Sequence, residues 1–266
     1  MKIAFSTLGC PGWSWDDILS TARDFDFDGI EVRGIENELY VPKAAPFQGK
    51  NADIAMERLK KLRLEIPVLT SACYLFEKGN ADAVLKEGAD YISLASKLKA
   101  PYVRVLGDRN PEPGREVDLG TVAENLRKLS PIAADKGVTL LVETNGALAD
   151  SGAMLGLLKT VGSGSVGVLW DVHHPYRFFG EPVDTTWSVL KSHIKYVHIK
   201  DSVVENGAVK YKMMGYGDVP VREALLLLKR EGYDGYVSLE WVKRWCMDLE
   251  EPGVVFSHFA NYVRSI

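Results

Sequence analysis

The sequence predicts a single (β/α)8 barrel, with residues 1–266 as one domain. Three observations predict it. A length of 266 residues suits one such barrel. Eight short apolar, β-branched runs alternate with longer helix-period segments from end to end, the pattern of parallel strands covered by helices. Four of those runs close on a residue type that can hold a metal, on the side where a barrel builds its active site.

The strand candidates are residues 3–7, 29–33, 67–72, 101–106, 138–143, 166–171, 194–198 and 236–240. Between them, Ser14 with Asp17 three residues on reads as the N-cap of a helix running to about Phe25. The next helix candidates are 51–61, 82–97, 122–136, 153–161, 186–191 and 221–231, and 254–263 closes the series. Lys136-Gly137, Glu231-Gly232 and Phe27-Asp28-Gly29 supply C-terminal punctuation before the following strands. Such β-then-α units with right-handed crossovers close naturally into a barrel. The competing open, doubly wound sheet usually carries a GxGxxG turn after its first strand, which Thr7-Leu8-Gly9-Cys10-Pro11-Gly12 does not fit. The longest irregular stretches, 34–49, 106–120, 173–183 and 201–220, all follow strands, where barrel active sites are built.

Composition excludes several classes. Apolar and charged fractions of 46% and 26% are those of an ordinary globular protein, and the chain can bury a large core without staples. The net charge of -4, with no basic block, argues against a nucleic-acid partner. Cys10, Cys73 and Cys246 form no CxxC pair or zinc-finger spacing, and read as idle thiols in a reducing compartment. Met1-Lys2-Ile3-Ala4-Phe5 runs straight into a strand without a signal region. No apolar run approaches the roughly 20 residues that span a bilayer. The expectation is a cytoplasmic protein with no membrane partner.

The chemistry lies in the strand ends. Leu140-Leu141-Val142-Glu143, Val168-Leu169-Trp170-Asp171, Tyr196-Val197-His198 and Val237-Ser238-Leu239-Glu240 each close on a metal-ligand type. In a barrel all four emerge at the C-terminal rim of neighbouring strands. Three converging carboxylates repel one another unless a cation joins them. Three carboxylates and one imidazole suit one divalent metal ion, Mn2+ ahead of Mg2+, Co2+ or Zn2+, rather than a thiolate-loving metal. A lone Glu or Asp at a strand end is more often a helix cap or a loop partner; four ligand types at four successive strand ends are much harder to explain that way.

These residues resemble the sugar-phosphate isomerase/epimerase family of xylose-isomerase-like barrels, which includes D-tagatose 3-epimerase, hydroxypyruvate isomerase and inosose dehydratase. The matching pieces span nearly the whole chain: Gly29-Ile30-Glu31-Val32-Arg33-Gly34, Val142-Glu143-Thr144, Trp170-Asp171-Val172-His173-His174, Val197-His198-Ile199-Lys200-Asp201 and Ser238-Leu239-Glu240-Trp241. Gly215-Tyr216-Gly217-Asp218-Val219-Pro220 resembles the family's GxGxxP segment. The resemblance implies Glu143, Asp171, His198 and Glu240 as metal ligands, and Glu143 and Glu240 also as the acid/base pair. Its D-x-x-H pattern puts His174, not His173, in the substrate site. The implied reaction is isomerisation or epimerisation of a ketose-like sugar through an enediolate, with two carboxylates moving the proton. One departure is that Lys200-Asp201 follows the histidine where related epimerases carry an arginine, with Lys210 and Lys212 further on. It bears on the substrate more than on the metal. No compact phosphate cradle is visible.

Around the rim, Arg33 reads either as a contact to substrate oxygens or as a salt-bridge partner of Glu31 or a loop carboxylate. Lys200 reads as a substrate or rim residue, and Arg104 as a buried ion-pair or substrate group. Trp13 and Trp241 are candidate pocket walls, whereas alternation turns Trp170 into the helix layer. His193 and His258 read as structural. The 173–179 segment reads as a lid or as the interface of a homodimer, since related barrels often dimerise. Three rival readings stand beside the isomerase. They are a lyase (decarboxylase or dehydratase) on an oxidised sugar or sugar acid, a nuclease like endonuclease IV, and a non-catalytic sugar-binding barrel. The nuclease needs more histidines and acts on DNA, which an acidic chain does not favour.

Overall fold

The computed structural model describes residues 1–114 and 117–266. Eight parallel strands form one sheet in the order β2-β1-β10-β7-β6-β5-β4-β3, and a separate antiparallel pair, β8-β9, lies outside it. The chain divides into two compact units, Met1–Pro67 with Val197–Ile266, and Val68–Tyr196; β7 (Ile194–Ile199) runs from one into the other.

The first unit holds β1 (Lys2–Ser6), α1 (Trp15–Asp24), β2 (Gly29–Glu31), α2 (Asn51–Leu62), β8 (Asp201–Glu205), β9 (Ala208–Lys212), α8 (Val221–Arg230), β10 (Tyr236–Leu239) and α9 (Pro252–Arg264). β1 is central, with Phe5 opposite both Leu239 of β10 and Ile30 of β2. The expected cap of α1 is a capping box: Ser14 Oγ accepts the Asp17 N–H while the Asp17 carboxylate accepts the Ser14 N–H. Behind the sheet, Phe5 stacks on Phe256 of α9 at 4.3 Å and meets Phe27 edge-on at 4.9 Å.

The second unit holds β3 (Val68–Tyr74), α3 (Ala81–Lys97), β4 (Tyr102–Leu106), α4 (Leu119–Asp135), β5 (Thr139–Glu143), α5 (Ser151–Val161), β6 (Val166–Asp171), α6 (His173–Phe179) and α7 (Val183–Leu190). From β4 to β6 the registers advance in step, Val103 facing Leu140 and Leu140 facing Val166, so those strand ends reach the same edge, while β3 shifts register against β4 between Thr70 and Tyr74. Trp170 turns into the helix layer as alternation requires, its ring 6.1 Å from Trp187 of α7. At Gly88 the α3 and α4 helices touch: a Cβ there would lie 2.6 Å from Leu129 Cδ1.

The structure departs from the expectations in three places. β2 stops at Glu31, leaving Arg33 in the following loop. Residues 173–179 are the helix α6 rather than loop: the Asp171 carboxylate accepts the His173 N–H at its start, and Gly180 closes it at φ +62°. The 201–220 stretch contains the β8–β9 hairpin, turned by Asn206 and Gly207 at φ 53° and 76°, the backbone that an Asn-Gly turn supplies. Of the 106–120 stretch, Arg115 and Glu116 lie outside the described residues. Among the described residues, no helix is long and apolar enough to cross a membrane.

Candidate functional site

Each unit gathers buried ionisable groups at the C-terminal ends of its strands. In the second unit, Glu143 is the last residue of β5 and Asp171 the last of β6. Thr144 fastens the two ends together: its Oγ1 accepts the Asp171 N–H at 2.8 Å and donates to the Asp171 carbonyl at 3.1 Å. Asp171 Oδ1 accepts the His173 N–H at 2.9 Å, while Oδ2 faces His174 Nε2 at 3.6 Å. The His174 ring is set by its other nitrogen, 2.9 Å from the Thr144 carbonyl. A carbonyl only accepts, so Nδ1 carries a proton. His174 Nδ1 also lies 3.8 Å from Glu143 Oε1, and Arg104 from β4 places Nε 3.2 Å from Glu143 Oε2. Asp171, His173 and His174 are buried and offer ligand atoms within 4.8 Å of one another, a group that could hold a metal ion.

In the first unit, His198 sits near the end of β7, with Lys200 just past it, Glu240 just past β10 and Glu31 ending β2. His198 Nε2 lies 2.8 Å from Glu31 Oε2, and Nδ1 lies 3.6 Å from Glu240 Oε1. Ser238 Oγ donates to the same Glu31 oxygen at 2.9 Å. Lys200, buried to its ammonium group, forms an ion pair with Glu240 Oε2. The Glu240 N–H donates to the Ile199 carbonyl at 3.1 Å, which ties the two strand ends together.

Asp201 organises the segment before α8. Its oxygens accept the N–H groups of Ser202, Gly215, Gly217 and Val219 at 2.8, 3.0, 2.9 and 3.3 Å. Burial pushes its carboxyl above the ordinary range, against those four donors.

The remaining candidates fall at different depths. Arg33 is buried in the loop after β2: Thr7 Oγ1 accepts its backbone N–H at 2.9 Å, Nη1 reaches the Leu39 carbonyl, and Trp245 covers its guanidinium at 5.9 Å. Trp13 is half-buried and meets Phe256 edge-on at 5.9 Å. Trp241 is completely buried, its indole N–H donating to the Glu250 carbonyl at 3.1 Å, and a Cβ on Gly9 would come within 2.9 Å of it. From there it underpins the loop after β10. Lys243 donates to the Met247 and Leu249 carbonyls of that same loop. His258 is held at 2.8 Å from the Met214 carbonyl, a structural contact. Burial raises the thiols of Cys10 and Cys73 well above the ordinary cysteine value, which keeps them protonated and unreactive.

Sequence reasoning treats Glu31 only as a partner for Arg33. The rule that singles out the other strand ends reaches it too, because Gly29-Ile30-Glu31 is a fifth apolar run closing on a carboxylate.

Residues 19–257 match the family model described as xylose isomerase-like TIM barrel. The chain is 25% identical over 267 residues to fructoselysine 3-epimerase of Escherichia coli O157:H7, covering 95% of this chain and 93% of that protein. Among solved structures, the probable 3-DHS dehydratase of Bacillus anthracis involved in petrobactin synthesis superimposes with a TM-score of 0.82 at 18% identity, covering 99% of each chain. A xylose isomerase-like TIM barrel protein from Mycobacterium smegmatis in complex with magnesium superimposes at 0.74 and 17% identity, over 99% of this chain and 95% of that one.

Proposed function

The chain belongs to the xylose isomerase-like TIM barrel family, and from that premise we propose that it is a divalent-metal-dependent isomerase or epimerase of a ketose-like sugar or sugar derivative. We read residues 1–266 as one barrel domain, with Glu143, Asp171, His198 and Glu240 as the metal ligands. The observation that carries the reading is that all four are buried at the ends of strands consecutive in the sheet, β5, β6, β7 and β10. The donor set fits a divalent ion: three carboxylates and an imidazole, with Arg104 paired to Glu143 and Lys200 to Glu240. Oxygen and imidazole donors suit a divalent ion, which we read as Mn2+ ahead of Mg2+, Co2+ or Zn2+, and solved structures of this fold with magnesium and with zinc support a divalent metal.

When bound, such an ion supplies Lewis-acid polarisation of adjacent carbonyl and hydroxyl oxygens. Glu143 and Glu240 do the proton work: one takes a carbon-bound proton beside the carbonyl and the other returns a proton to that carbon. Arg104 and Lys200 orient these carboxylates through their ion pairs. His174, its ring set by the Thr144 carbonyl, binds the substrate. Arg33 and Lys200 bind substrate oxygens, Trp13 walls the rim, and Trp241 supports it from beneath. The 25% identity to a sugar 3-epimerase over nearly the whole chain supports sugar as the substrate class.

A second reading, a lyase acting on an oxidised sugar or sugar acid, is favoured by the superposition on a probable dehydratase. Metal analysis of purified protein tests the ligand set. One equivalent is expected in the wild type and a clear loss in Glu143→Ala, Asp171→Ala, His198→Ala and Glu240→Ala; unchanged stoichiometry in all four sinks it. A substrate screen in D2O read by NMR separates the reactions. Deuterium entering one carbon without change of composition supports the isomerase, and release of CO2 or water overturns it in favour of the lyase.

A further inference from the structure

We infer that Glu31 is a positioning residue that fixes which nitrogen His198 presents to the metal. The inference rests on His198 being a metal ligand, as proposed above. The His198 ring lies between two carboxylates, with Nε2 2.8 Å from Glu31 Oε2 and Nδ1 3.6 Å from Glu240 Oε1. Only the first is a hydrogen-bond distance. A carboxylate oxygen accepts, so Nε2 donates to Glu31, which leaves Nδ1 as the nitrogen that a metal can take. The second separation is one that two atoms take when both ligate an ion through bonds of about 2.1 Å. Glu31 and Glu240 thus have different tasks although both are buried carboxylates at strand ends.

The chain fixes Glu31 from both neighbours of β1. Glu31 pairs in register with Ser6 of β1, and Ala4, two residues back on β1, faces Ser238 of β10. Ser238 Oγ donates to the oxygen that His198 uses, at 2.9 Å. Among the described residues, Glu31 Oε1 has no hydrogen-bond partner. A completely buried carboxylate held through one oxygen is expensive, and packing alone does not account for it. Its position against the outer nitrogen of a ligating imidazole does, because such a partner sets the tautomer and ring orientation and raises the ligand's basicity.

The test uses the full-length protein. In 15N-edited NMR of the Zn2+-loaded wild type, His198 is expected to show a downfield, slowly exchanging proton on Nε2 and a metal-bound Nδ1. In Glu31→Leu that proton moves upfield or exchanges away, and Zn2+ affinity by chelator competition falls about 10- to 100-fold. Glu31→Gln keeps an acceptor oxygen and is expected to lose less than about tenfold. Urea midpoints verify that both variants fold; if Glu31→Leu does not, the wild-type spectrum and Glu31→Gln still decide. A proton on Nδ1 in the wild type overturns the inference. So does equal Zn2+ affinity in the wild type and both variants while His198→Ala abolishes binding, an outcome that leaves the metal reading intact. If His198→Ala binds Zn2+ as the wild type does, the metal reading fails, and the inference about ligand presentation fails with it.

Discussion

Asp201 is expected to hold the 213–220 segment in place, and its removal should be visible in stability as well as in local order. In Asp201→Ala, four backbone N–H groups lose their acceptor. Gly215 is exposed and Gly217 half-buried, so their N–H groups can turn to water, whereas Ser202 and Val219 are buried. Two orphaned buried donors at about 1–3 kcal/mol each sum to about 2–6 kcal/mol, and the desolvation relieved by deleting the carboxylate, about 1–2 kcal/mol, leaves a net loss of about 1–4 kcal/mol. Gly217→Ala should act at the same place, because its Cβ would lie 2.0 Å from Asp201 Oδ1. Urea unfolding gives the free energy, and hydrogen exchange at the Gly215 and Gly217 amides reports the segment itself. A change under about 0.5 kcal/mol with unaltered protection refutes the reasoning. The pH dependence has a defined sign. Burial raises the native Asp201 carboxyl above its unfolded value, so the native state binds its proton more tightly. The wild type should therefore gain on Asp201→Asn as pH falls from neutrality through the raised native value, with the gain complete below the unfolded one. The opposite slope would show that the four N–H donors outweigh burial.

Arg104→Met should destabilise the metal-free protein by about 3–5 kcal/mol, because it removes the cation paired with the buried Glu143 carboxylate; the double variant with Glu143→Gln should recover most of that in urea melts. His174→Ala should lower turnover or substrate affinity with metal stoichiometry retained, and His173→Ala should do less; the reverse order in steady-state kinetics would show that the α6 register has been misread. A thiol-reactive dye should label Cys246 in the native protein, and Cys10 and Cys73 only in denaturant, since the latter two are buried. Fast labelling of all three would show that the turn after β1 and strand β3 open far more readily than their packing implies.

The alternation of apolar runs and helical periods is legible because each parallel strand is buried on both faces. β6 accordingly spans the residues its hydrophobic run predicts, 166–171. What periodicity does not reach is structure made by single side chains. Helix α6 is only seven residues long, begins at an Asp171 carboxylate and ends at Gly180; no amphipathic stripe of that length stands out. The β8–β9 hairpin carries a readable signal, Asn206-Gly207 between the Val203-Val204 and Ala208-Val209 pairs. Its strands are too polar to register as apolar runs.

The candidate site was legible for a related reason, and only in part. A side chain at the last residue of a buried parallel strand has no apolar neighbour to satisfy, so an acid or imidazole there needs a partner, and the sequence exposes that need without naming the partner. Glu143 finds Arg104, Glu240 finds Lys200, and His198 finds Glu31. These pairings join residues 39, 40 and 167 apart in the chain, and no local pattern encodes them. The strand registers produce them, since a shift of one residue would turn Glu31 or Ser238 into the helix layer. The roles of these carboxylates therefore follow from which donor each one meets. Glu31 meets an imidazole N–H and a hydroxyl, which suits it to hold a ligand in place, while Glu143 and Glu240 meet cations and imidazole edges, which suits them to metal and proton. In the reading proposed above, the same residue type at the same depth in the same sheet is divided between support and chemistry by the register of the strands.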